Sequence, residues 1–96
     1  MSRVLVIDDD PGTLVGYKGI LRSAGFDVTT VDSGREGLAR AQSDHLSVVL
    51  ADLRLPDLSG LDILRKLRAS RITVPFVIVT GFGSPRSAVE AIVRSR

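Results

Sequence analysis

The chain has 96 residues, no cysteine, 44% apolar residues and a formal net charge of +2. That length and composition fit a single folded domain, residues 1–96, and exclude a disordered chain, while the missing cysteines exclude disulfides, thiolate metal sites and thiol chemistry. No apolar run reaches the length of a membrane span and the N-terminus has no secretory leader pattern, so the expected compartment is the cytoplasm.

In chain order, RVLVI at 3–7 is short, apolar and rich in β-branched residues, the composition of a buried parallel strand. Asp10 followed by Pro11 predicts a helix start, cap then proline. Leu14, Tyr17, Ile20, Leu21 and Ala24 give that helix its apolar face, and Gly25 stops it. Gly16 and Gly19 inside it each cost about 1 kcal/mol relative to alanine, which implies close packing or a weak helix. FDVTTV at 26–31 predicts a second strand. Ser33 caps a helix running to about Gln42, with Leu38 and Ala41 inward. HLSVVLAD at 45–52 contains a third strand ending in Asp52, and the loop LRLPDLSG follows. A third helix is predicted from Leu61 to Ala69, with Leu61, Leu64, Leu67 and Arg68 shared between core and solvent. VPFVIVTG at 74–81 is the fourth strand, and Ser84-Pro85 opens a fourth helix with Ala88, Val89, Ile92 and Val93 apolar.

Strand–helix alternation of this kind predicts an α/β fold with a doubly wound parallel sheet and right-handed crossovers. Sites in such sheets form beyond the carboxyl ends of the strands. Asp8, Asp9, Asp10, Asp52 and Thr80 all fall there. Carboxylates meeting on one rim need a cation or a proton, and hard oxygen ligands favour Mg²⁺. The single histidine, His45, is expected at the far end of the third strand, so a zinc site is excluded. With Mg²⁺ bound, one aspartate can act as a nucleophile and form an acyl phosphate, while the Thr80 hydroxyl and the backbone amides after Asp52 donate to phosphoryl oxygens. The plainer reading of the same residues is helix caps and ordinary loop carboxylates.

Charge is unevenly spread: ten acids and six bases lie in residues 1–62, seven bases and only Glu90 in 63–96. Such asymmetry can steer a partner, although a basic solvated helix face is the plainer and favoured reading. The small net charge is weak support for nucleic acid. The basic end has no recognition-helix motif, so no direct nucleic-acid contact is expected.

Taken together, VLVIDDDP, VVLADLRLPDLSGLDIL and VPFVIVTGFG resemble the receiver domain of two-component response regulators, in order and in spacing. The resemblance runs to Arg96. It implies a flavodoxin-like sheet in the order 2-1-3-4. It implies that Asp52 is the phosphoacceptor for a histidine kinase or phosphotransfer protein, and that Thr80 is the switch hydroxyl. It places Mg²⁺ between Asp9 and Asp52, with Asp8 holding the ion through water and the Arg54 carbonyl as a further ligand. Pro56 and Gly60 shape the loop after the acceptor, and the Arg54 side chain lies where it modulates water access. Asp10 matches a commonly acidic position.

The family's fifth strand, ending in Lys-Pro, and its fifth helix have no counterpart in the 96 residues. The only lysines, Lys18 and Lys66, fall on helices away from the rim. A shortened receiver is therefore expected, with slow phosphorylation and a homodimer through strand four and helix four. The alternative is a receiver-like interaction or dimerisation module without phosphotransfer. A haloacid dehalogenase-type phosphotransferase, which needs D-x-D-x-T after the first strand, is excluded by Gly12.

Overall fold

The computed structural model of the chain describes residues 2–79. In order, its elements are β1 (Arg3–Ile7), α1 (Pro11–Ser23), β2 (Asp27–Val31), α2 (Gly34–Ser43), β3 (Val48–Asp52), α3 (Gly60–Ala69) and β4 (Phe76–Val79). The expected fourth helix and the last residues of the fourth strand segment, Thr80 and Gly81, lie outside the described residues.

All pairings are parallel, and the strand order is β2-β1-β3-β4. The alternation of β1 and β3 builds two apolar layers. Val4, Val6, Val48 and Leu50 pack with Tyr17, Leu21 and Phe26 on the α1 side. Leu5, Ile7, Val49 and Ala51 pack with Val31, Ala41, Ile63 and Leu67 on the side of α2 and α3. Burial on both faces is why these strands read as unbroken apolar runs rather than alternating ones. Ile63 and Leu67, both fully buried, carry the inner face of α3, while Leu61 is 37% exposed. Truncating Leu67 to alanine removes a side chain of the kind that costs about 2–5 kcal/mol.

Each helix start is held as its sequence implies. The Asp10 carboxylate accepts from the Thr13 N–H at 3.0 Å and from its hydroxyl at 2.6 Å, with Pro11 at the first helical position. Ser33 caps α2 through the Glu36 N–H at 3.2 Å. Ser59 and Asp62 cap α3 reciprocally. The ends of α1 and α3 share one hydrogen-bond pattern. At α1, Gly25 N–H reaches Arg22 O and Phe26 N–H reaches Leu21 O, with Gly25 at φ 92°. At α3, Arg71 N–H reaches Arg68 O and Ile72 N–H reaches Leu67 O, with Arg71 at φ 62°. Arg68 then pins the chain into β4, its guanidinium donating to Ile72 O at 2.7 Å and Val74 O at 2.9 Å. Ala24 is the exposed C-cap of α1 rather than part of its apolar face. Gly19 faces open space, so close packing does not explain the glycine there.

Candidate functional site

The sheet register builds the site. Ile7 lies beside Ala51, so the residues that follow them, Asp8 and Asp52, leave adjacent strands at the same level. Asp52 closes β3 beside Val79 of β4. Asp8 is anchored by its own N–H donating to Val31 O at 3.1 Å. One carboxylate oxygen from each of Asp8, Asp9 and Asp52 lies within 4.8 Å of the others. Two unit charges at that separation repel by roughly 1–3 kcal/mol over the effective dielectric range of a protein surface.

Few donors relieve the crowding. Asp8 is 8% exposed, and its Oδ1 accepts the Asp10 N–H at 2.9 Å. Asp52 Oδ1 accepts the Arg54 N–H at 3.2 Å. Among the described residues the only ion pair joins Arg40 to Asp44, away from the rim. Burial, then the charges of Asp52, Asp9 and Asp10, push the Asp8 carboxyl above its ordinary range, against the pull of the Asp10 N–H. Tyr17, buried on the α1 side of the sheet, is pushed up by burial and then by Asp8 and Asp52, so its phenol stays neutral. Three hard oxygen donors with unsatisfied negative charge are what a small divalent cation matches. The cluster of Asp8, Asp9 and Asp52 fits a small divalent cation such as Mg²⁺.

The loop from Leu53 to Ser59 closes on itself. The Gly60 N–H donates to Leu53 O at 3.1 Å. A Cβ on Gly60 would meet the Asp52 carbonyl oxygen at 2.6 Å, so α3 can start here only on glycine. Leu55 and Leu58 turn into the core between α2 and α3, while Pro56 and Arg54 stay exposed. The structure thus brings Asp8, Asp9 and Asp52 together and places Arg54 next to them through its backbone. Thr80 lies outside the described residues.

One participant escaped the sequence reading. Asp57, at the tip of the loop, accepts the Gly34 N–H at 2.8 Å and the Arg35 N–H at 2.9 Å, the first two amides of α2. It also accepts the Leu58 N–H at 2.9 Å. The Arg35 and Gly34 amides hold its carboxyl below the ordinary range. Its position in the L-P-D-L-S-G stretch was visible, but Ser33 already explained the start of α2, and nothing in the spacing tied residue 57 to residue 34.

The profile of the response regulator receiver domain matches residues 4–95. The chain belongs to that family. It is similar to the cell cycle transcriptional regulator CtrA of Caulobacter vibrioides (strain NA1000 / CB15N), 43% identical over 79 residues, which is 82% of this chain and 34% of that protein. The chain therefore spans about a third of the length of the curated relatives it matches. Its fold is similar to the CheY-like receiver domain protein of Methanospirillum hungatei JF-1, with a TM-score of 0.88 and 28% identity, covering 99% of this chain and 93% of that one. It is also similar to a chain in the complex of histidine kinase ThkA with response regulator protein TrrA, with a TM-score of 0.79 and 28% identity, covering 86% and 72% of the two chains. The 2-1-3-4 parallel sheet expected from the sequence is the sheet observed.

Proposed function

We propose that this receiver domain accepts a phosphoryl group from a phosphohistidine, on a histidine kinase or a phosphotransfer protein, onto Asp52, and that the modified domain presents a changed surface to a protein partner. The observation that carries this reading is the convergence of Asp8, Asp9 and Asp52 within 4.8 Å at the ends of adjacent strands. The relative in complex with a histidine kinase supports the choice of donor.

A carboxylate oxygen of Asp52 attacks the phosphorus. The P–N bond to the donor imidazole breaks, its electron pair stays on nitrogen, and that nitrogen takes up a proton. Mg²⁺, when bound, would offset the repulsion between an anionic nucleophile and an anionic phosphoryl group. Asp9, Asp52 and the Arg54 carbonyl would hold it directly and Asp8 through water. The Arg54 N–H, 3.2 Å from Asp52, is a donor already aimed at the reacting carboxylate. Thr80 is assigned the hydroxyl that turns toward the new phosphoryl group. The cytoplasm is the compartment proposed for this chemistry.

The test is intact mass after incubation with acetyl phosphate and Mg²⁺. The wild-type chain is expected to gain one phosphoryl group and Asp52→Asn none. Equal labelling of the two would overturn the assignment. For association we propose a twofold dimer through β4 and the segment after it. The four residues of β4 are apolar, and among the described residues its hydrogen-bond partner is β3 alone. Sedimentation equilibrium showing only monomer up to high micromolar concentration would remove the dimer.

A further inference from the structure

The loop that carries the phosphoacceptor's neighbours is anchored unevenly. Its base is fixed at Leu53 and Gly60 by their mutual hydrogen bond and by contact with the Asp52 carbonyl. Its exit is fixed by the reciprocal cap between Ser59 and Asp62, at 3.0 and 3.2 Å. The tip, residues 54–58, spans the gap between these points. Besides the Arg54 N–H donated to Asp52 at the end of β3, its polar tie to another element, among the described residues, is Asp57, whose two carboxylate oxygens each take one N–H from the first turn of α2. The contact is close as well as polar. A Cβ on Gly34 would meet Leu58 Cβ at 2.8 Å and Asp57 Oδ1 at 2.9 Å. Glycine at 34 thus lets the tip lie flat on the helix, and a carboxylate at 57 satisfies amides that the helix itself cannot bond.

We propose that Asp57 is a positioning residue for the metal site. By holding the loop tip on α2 it sets the direction of the Arg54 backbone, whose N–H is donated to Asp52 and whose carbonyl would hold the cation. This rests on the reading of Asp8, Asp9, Asp52 and Arg54 as a Mg²⁺ site. Asp57 would touch neither the ion nor the phosphoryl group. Released from α2, the tip has more backbone freedom, and the carbonyl must be ordered at the moment the cation binds. Supporting residues of this kind typically change metal affinity by about 10–100-fold.

The experiment is a Mg²⁺ titration of the full chain, followed by amide chemical shifts. Four variants are compared with wild type: Asp57→Ala, Asp57→Asn, Gly34→Ala and Asp52→Asn. Asp57→Ala is expected to weaken Mg²⁺ binding about tenfold, at the low end of that range. Asp57→Asn keeps an oxygen for the Gly34 N–H but turns an NH₂ toward the Arg35 N–H, so its loss should be about threefold, and it serves if the alanine variant does not fold. Gly34→Ala leaves every charge in place and pushes the tip off the helix. It should weaken binding to a similar degree and move the Arg54 amide resonance. If Asp57→Ala and Gly34→Ala shift the amides of positions 34 and 35 yet bind Mg²⁺ within twofold of wild type, the positioning role is overturned while the site stands. If wild type and Asp52→Asn bind Mg²⁺ equally, the site itself is misassigned, and the role of Asp57 falls with it.

Discussion

Asp8 and Asp57 both sit in loops that leave the C-terminal ends of strands, and their surroundings are opposite. Asp8 is buried against two other carboxylates and accepts a single N–H. Asp57 is exposed and accepts three, two of them from the positive end of a helix. Burial and like charge push the Asp8 carboxyl up, while the α2 amides pull Asp57 down. The first arrangement is costly as it stands, and the proposed cation would relieve it. The second is satisfied as it stands, as befits a brace. The proposed function falls where charge is left uncompensated, and the proposed brace is the compensated charge a few residues away.

Gly60 lies on the seam between the two, and its substitution should have the largest effect. A methyl group there runs into the Asp52 carbonyl, a backbone atom that cannot swing aside. Overpacking of this kind costs about 1–3 kcal/mol. In a domain this small Gly60→Ala should lower Tm by about 10–20 °C, measured by circular dichroism. It should also weaken Mg²⁺ binding, because rim and brace shift together. An unchanged Tm would mean that α3 begins differently from its position here.

Substituting the two aspartates separately should change stability in opposite directions. Asp57→Ala removes an acceptor from the first turn of α2 and should lower Tm by about 3–8 °C, with or without Mg²⁺. Asp8→Asn keeps an oxygen for the Asp10 N–H and removes one of three crowded charges. In chelator it should raise Tm by about 2–5 °C. In millimolar Mg²⁺ the gain should vanish or reverse, because wild type then acquires stability from the bound ion that the variant has lost. Thermal melts of both variants in chelator and in Mg²⁺ make a four-way comparison. A parallel response of the two variants would remove the contrast between site and brace.

Most of the sheet and the rim was legible because both depend on local pattern. Apolar runs ending in aspartate identify buried strands, and the rule that sites lie beyond strand C-termini brings Asp8, Asp9 and Asp52 together without any knowledge of register. Asp10-Pro11, Ser33 and Gly25 mark helix ends by chemistry that acts within a few residues. What stayed hidden is non-local or locally unfavourable. The Asp57 contact joins residues 23 positions apart, and its donors are backbone amides, which carry no sequence signature. Arg71 adopts a left-handed conformation that glycine would adopt more readily, so the end of α3 could not be read the way Gly25 marks the end of α1. Ile63 went unnamed because the neighbouring leucines offered an equally plausible stripe, and only packing against the sheet selects between them.

The smallest expected effect, and the finest test of the contrast, is the acid limb of the stability curve. Asp57 has a folded pKa below the ordinary aspartate value of 3.8, as do Asp10, through the Thr13 hydroxyl and amide, and Asp62, through Ser59. Such groups contribute stability that is complete above 3.8 and is lost as pH falls through their folded values. Asp8 has the opposite sign. Its folded pKa lies above 3.8, so its contribution is complete below 3.8 and is lost as pH rises through the folded value. In chelator, lowering the pH from neutral should therefore first raise Tm slightly, as Asp8 takes up a proton that relieves the rim. Below about pH 4 it should then lower Tm, as the N–H-bonded carboxylates are neutralised. Mg²⁺ competes with that proton and should flatten the initial rise. Asp8→Asn should abolish the rise and leave the fall. Asp57→Ala should keep the rise and make the fall shallower. A Tm that declines steadily from neutral pH in wild type, in chelator, would show that the rim carboxylates are compensated without a cation and that the contrast between the two aspartates does not hold.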